Sequence, residues 1–154
     1  MLNQSKQLTH ALLRIVTGVL FACHGGQKLF GWFGGFGGVP GNTVEFMTLM
    51  GFAGILELFG GLALLVGGLT RPVALLLSGE MAVAYFMAHQ REGLLPIQNH
   101  GELAVLYCFL FLYFAAHGAG ALSVDRVLKG HSVAELFEAP HEGAVPRPAE
   151  RRAR

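Results

Sequence analysis

Eight side chains able to do chemistry stand inside, or at the mouths of, otherwise apolar runs: Arg14, His24, Gln27, Lys28, Glu57, Glu80, Asn99 and Glu102. Hydrocarbon cannot solvate such groups, so a carboxylate or guanidinium at mid-depth needs a partner, a water-filled cavity or a proton. Written at the helical period, Arg14, Gly18, Phe21, Gly25 and Lys28 recur at spacings of three and four and share one face, with His24 and Gln27 on its edge. Glu57 stands near the centre of a second run among Ala53, Gly54, Gly60 and Gly61, and Glu80 at a comparable level in a third. Small residues around a buried charge imply that another helix packs directly against it. Two readings follow. The set is either an ion-pair network that fixes helix register, or a small pocket for a polar headgroup, a quinone ring or a proton.

The elements that must hold these groups are four apolar runs, about 11–33, 46–69, 73–89 and 102–119. A hydrocarbon core about 30 Å thick needs roughly twenty helical residues, which places these runs at spanning length or close to it. Composition agrees: 53% of the chain is hydrophobic, only 14% is charged, and 22 of the 154 residues are glycine. With mean hydropathy at +0.50, a membrane domain is the expectation and a soluble one is not. The connections are short: a glycine-rich turn with Pro40 and Asn42, the turn Thr70-Arg71-Pro72, and the polar segment from Gln90 to Gly101. Sequential helices should therefore be antiparallel neighbours in an all-α, four-helix up-and-down membrane bundle over residues 1–129. Asn99 is placed to cap the fourth helix, with Glu102 in its first turn, where the helix dipole favours an anion.

Charge sets the orientation. Lys6, Arg14, Arg71, Arg126, Lys129 and the tail arginines fall on one side, and only Lys28 and Arg91 on the other, so both termini are expected in the cytoplasm. A signal peptide is disfavoured, because the first apolar run exceeds the 7 to 15 residues of a signal core and no small-x-small site closes it. Ser123 and Asp125 read as cap groups, and Ser132 with Glu135 forms a capping-box pattern. From Pro140 onward, prolines and arginines predominate, so 130–154 reads as a flexible cytoplasmic tail that forms no core.

Several chemistries are disfavoured. Net charge is +1, which gives no nucleic-acid signal. Cys23 and Cys108 form no CxxC and read as small apolar fillers rather than a redox pair. Haem would need two histidines at matched depth, and His24 with His89 is the one intramembrane pair that offers them. No compact zinc pattern occurs. The glycine-aromatic stretch 31–38 follows a membrane helix and lacks Lys-Ser/Thr, so it reads as an interfacial loop and not a phosphate cradle.

At these residues the sequence resembles the DoxX family of small four-helix bacterial membrane proteins. The resemblance rests on Arg14 and Gly18; His24-Gly25 with Lys28-Leu29; Glu57 with Gly60-Gly61 and Gly67; Thr70-Arg71; Asn99 with Glu102; and Gly118 to Asp125. It covers roughly residues 8 to 129, and the loop after Lys28 and the tail depart from the pattern. It implies a bacterial inner-membrane protein, some of whose relatives resemble subunits of quinone-linked oxidoreductases or thiol-stress complexes. The expected function is a membrane subunit of such a redox system, with a quinone in the polar pocket and a soluble or membrane partner supplying electrons. The alternative is a nonenzymatic scaffold, or a carrier of protons or a small solute, for which four helices would require a homo-oligomer.

Overall fold

The computed structural model describes residues 2–130. The Ser132–Glu135 capping pattern and the tail from Pro140 lie outside the described residues. Four long helices run up and down: α1 (Leu2–Phe30), α2 (Leu49–Val66), α3 (Thr70–Ala84) and α4 (Glu102–His117), followed by the short α5 (Val124–Leu128). No strand occurs among the described residues. Three helical segments are long and apolar enough to cross a membrane: Gln4–Phe30, Leu49–Val66 and Thr70–Glu92. The last includes a π-helical turn at Tyr85–His89 and a 3-10 turn at Gln90–Glu92 that extend α3. The fourth helix has 16 residues, which at 1.5 Å per residue is about 24 Å.

The boundaries differ from the expected ones for local reasons. α1 starts nine residues before Ala11, because nothing from Leu2 to His10 breaks a helix. It stops at Phe30, where Gly31 turns left-handed and its amide closes on the Gln27 carbonyl at 3.1 Å. α2 is capped by the Thr48 hydroxyl, which accepts from the Gly51 amide at 3.1 Å. It ends at Gly67, which is left-handed, with the Gly68 amide bonded to the Ala63 carbonyl at 2.9 Å. The expected turn Thr70-Arg71-Pro72 is instead the first turn of α3. Proline needs no amide partner there, and the chain reverses one step earlier, through Gly67 to Leu69.

That reversal is held from outside. Leu69 precedes α3 in a left-handed conformation and has no capping side chain, and Asp125 reaches back from α5 to supply one. Its carboxylate accepts from the Leu69 amide at 2.7 Å and the Thr70 amide at 2.9 Å. Ser123 caps α5, accepting from the Arg126 amide at 3.3 Å. Burial pushes the Asp125 carboxyl toward its neutral form, but hydrogen bonds from Thr70 and the Leu69 amide, with the nearby Lys129 charge, hold it below the ordinary carboxylate range. Its contribution to stability is therefore complete above the unfolded-state pKa of about 3.9 and is lost as pH falls through the lower folded value. Asp125→Ala should lower stability at pH 7 by about 1 kcal/mol. The gap to the parent should close as a thermal melt in detergent is repeated at progressively lower pH.

Packing divides the bundle into two tight pairs, α1 with α2 and α3 with α4, joined by a thinner α2–α3 seam. The first pair meets at backbone level. A Cβ on Gly18 would sit 2.7 Å from the Gly61 carbonyl oxygen, and one on Gly25 would sit 2.6 Å from that of Gly54. Only glycine lets the two helices approach so closely. Phe21, Leu64, Ala74, Leu77, Met81, Phe111 and Phe114 form the core, drawn from all four long helices. Phe21 meets Phe111 edge-on at 4.7 Å between ring centroids. Leu13, Val16 and Leu20 face outward, as expected of the lipid side of α1.

Candidate intramembrane polar site

The Lys28 ammonium pairs with Oε1 of Glu57. Side chains on a helix lean toward its N-terminus. Because α1 and α2 are antiparallel, Lys28 leans into the bundle from the loop end of α1 while Glu57 leans outward from the middle of α2. The two tilts converge, and the glycine contacts beneath them set the register. Glu57 is 3% exposed. Its second oxygen, Oε2, is buried and has no hydrogen-bond partner among the described residues.

Three further groups surround this pair. His24 stands on the exposed edge of α1, with its ring edge-on to Tyr107 at 6.3 Å, and its charge acts on Glu57. The Tyr107 ring stacks on Phe111 at 5.5 Å, and its hydroxyl is within electrostatic reach of Cys23 and Glu57. Glu80 feels the charges of both Glu57 and Lys28. Both of its carboxylate oxygens are buried without a partner among the described residues. Glu80 also borders an apolar groove of about 680 Å³ along the α2–α3 seam, lined chiefly by Phe52, Leu56, Leu76 and Val83. Gln27 lies half-buried next to Lys28.

Of the eight residues expected at the pocket, the structure brings Lys28, Glu57, His24 and Glu80 together, with Gln27 alongside. It sets three apart. Arg14 lies fourteen residues before Lys28, roughly 21 Å along α1. Its fully buried guanidinium donates from Nε to the Ala119 carbonyl at 3.0 Å, from Nη1 to those of Leu64 and Leu65 (the latter at 2.8 Å), and from Nη2 to that of Leu122 at 2.8 Å. The Leu64 and Leu65 carbonyls belong to the last turn of α2, where the dipole is negative and the Leu64 carbonyl also accepts from the Gly67 amide at 3.1 Å. Arg14 is thus a structural clamp across three segments.

Asn99 is fully buried and spent within its own loop. Its amide nitrogen donates to the Gly93 carbonyl at 2.8 Å and to the Tyr85 hydroxyl at 3.3 Å, and its Oδ1 accepts from the Gly101 amide at 2.9 Å. It does not cap α4: the N-cap is Gly101, and the Asn99 side chain reaches only the amide just ahead of the helix. Glu102 is exposed in the first turn, where the dipole favours it, and pairs with no cation among the described residues.

Tyr107 and Cys23 are the additions that sequence spacing did not single out for the site. Their only signal was depth, since both fall near the level of His24 once α1 and α4 are set antiparallel. Both cysteines are free. No group of His, Cys, Asp and Glu that could hold a metal ion occurs among the described residues. Chemically the centre offers an ammonium and a phenol as donors, two buried carboxylates as proton acceptors, and an apolar approach from the lipid side.

The family model described as DoxX matches residues 9–90. The chain is similar to an uncharacterized protein of Haemophilus influenzae, 42% identical over 75% of this chain and 87% of that one. It is also similar to the inner membrane protein YqjF of Escherichia coli, 35% identical over 75% of this chain and 88% of the relative. A more distant relative, the putative oxidoreductase CatD of Bacillus subtilis, is 27% identical over 84% and 94% of the two chains. No solved structure matches. The motif order, the four-helix membrane fold and these matches agree: the chain belongs to the DoxX family.

Proposed function

We propose that this protein is a membrane subunit of a redox system whose polar centre, built on Lys28 and Glu57, receives the headgroup of a quinone. The observation that carries the reading is the Oε2 atom of Glu57, buried at mid-helix with no hydrogen-bond partner among the described residues, beside an ammonium that already satisfies Oε1. A group that exchanges a carbonyl for a hydroxyl suits that arrangement. Lys28 and Tyr107 can donate to a carbonyl oxygen, while Glu57 and Glu80 can accept from a hydroxyl. A bound quinone would supply reversible two-electron, two-proton chemistry, and a soluble or membrane partner would exchange the electrons. The name of the CatD relative, a putative oxidoreductase, supports the same reading.

The test is to purify the parent and Glu57→Gln in mild detergent, record optical spectra, and measure extracted quinone against phospholipid by mass spectrometry. The parent should carry quinone well above the bulk membrane ratio, and Glu57→Gln should lose it at least tenfold while melting normally. Equal ratios in the parent, the variant and the bulk membrane would leave the scaffold or carrier reading in its place. We further infer that the protein lies in the bacterial inner membrane with both termini cytoplasmic, from its lysines and arginines. Reporter fusions at Lys6, Gly38, Arg71 and Asn99 should alternate in, out, in, out.

A further inference from the structure

We propose, resting on the quinone reading above, that the ligand is a long-tailed quinone drawn sideways from the bilayer, whose ring lies beside Glu80 and whose prenyl tail fills the α2–α3 groove. At about 680 Å³ the groove falls within the range of small-molecule sites, roughly 300–1,000 Å³. It exists because the two helix pairs meet only along a thin seam. Phe52 and Leu56 stand one turn apart on α2, and Leu76 and Val83 flank Glu80 one turn to either side on α3. Between these walls lies Gly79, and a Cβ built there would meet nothing within 4 Å. The floor is open where a side chain would ordinarily fill it.

Glu80 decides what the groove takes. It is the one ionisable side chain among the residues that line it. Both of its carboxyl oxygens are buried with no hydrogen-bond partner among the described residues. It also feels the charges of Glu57 and Lys28, which ties the groove to the polar centre. An occupant must therefore carry a hydrogen-bonding head at one point and hydrocarbon elsewhere. A phospholipid fits poorly, because its phosphate would meet a carboxyl group at mid-helix instead of cations at the interface. Phe52, Leu76 and Val83 are about half exposed on the outer surface of the bundle, so a molecule dissolved in the bilayer reaches Glu80 without the helices parting. A water-soluble quinone would gain nothing from these walls.

Native mass spectrometry of the full chain in detergent, titrated with a benzoquinone carrying a long prenyl tail and with the same ring bearing only methyl groups, tests the site. Each variant is compared with the parent in the same micelles, so that partition of the tail into detergent cancels. Gly79→Leu grows a side chain into the groove and raises helix propensity. It should weaken the long-tailed quinone about tenfold and the tail-less ring no more than about twofold, as overfilling of the tail's track requires. Val83→Phe narrows the groove from a residue already half exposed and should act the same way, while Val16→Phe, on the outward face of α1, changes neither. A parent that binds neither form would overturn the quinone reading and the groove assignment with it. A parent that binds both, with neither groove variant discriminating between them, would leave the headgroup reading standing and overturn the groove. Conversion of a dimeric parent to a monomer by Gly79→Leu would also overturn it, because a helix of a second copy would then be the occupant.

Discussion

Arg14→Leu should abolish accumulation of folded protein, one of the two largest single-residue effects expected in this molecule. The substitution strips a charged donor from four carbonyls, those of Leu64, Leu65, Ala119 and Leu122. A hydrogen bond to a charged group contributes about 1.5–3 kcal/mol, and an orphaned buried acceptor adds a penalty of its own. Even with partial relaxation the loss should be about 4 kcal/mol, a large part of the stability of a small domain. Arg14→Lys should do less harm but should not restore the parent, because a single ammonium cannot span carbonyls that a planar fork reaches from three nitrogens. Membrane yield and the monodisperse fraction after detergent extraction give the readout. A parent-like Arg14→Leu would mean that water or lipid headgroups satisfy these carbonyls.

Lys28→Met should destabilise the bundle by about 3–5 kcal/mol, because it leaves the Glu57 carboxylate buried and alone. The double variant Lys28→Met with Glu57→Leu should recover most of that loss, since it removes both desolvated charges at little cost in volume. Glu57 alone separates structure from function. If it only fixes packing, Glu57→Gln is tolerated and Glu57→Leu damages assembly. If it handles a ligand or protons, Glu57→Gln folds normally yet abolishes the phenotype of a deletion strain. Melting temperature in detergent and complementation of that strain are the two measurements. Failure of the double variant to recover would place the cost in shape and not in charge.

The fold was largely legible from the sequence because membrane helices announce themselves by length and hydropathy, and because Gly18, Gly25, Gly54 and Gly61 marked a close seam. Lys28 and Glu57 were legible as members of one polar set, since a buried carboxylate demands a cation and few lay at that level, but not as each other's partner, which the register of α1 on α2 decides. Arg14 was legible as a buried charge but not as a clamp. Its partners are backbone carbonyls, and those carry no sequence signature. Asn99 was misplaced by two residues for a related reason: the same side chain suits a helix cap or a loop staple, and only the path of the chain from Gly93 to Gly101 decides between them. Tyr107 entered the site through the crossing of α1 and α4, which no spacing within either helix encodes.

The Arg14 clamp also imposes an order on synthesis. Its acceptors lie 50 residues downstream in α2 and about 105 downstream in the loop after α4. A chain emerging from the ribosome must place this guanidinium in or near the bilayer long before its last partners exist. The first helix is thus left to wait, half-satisfied once α2 arrives and complete only when the segment Ala119–Leu122 has been made. Truncations within α4 should therefore yield polypeptides whose first span is poorly retained, although that span is itself intact. In this sense the fourth helix, the last of the four to be made, is the one that licenses the first.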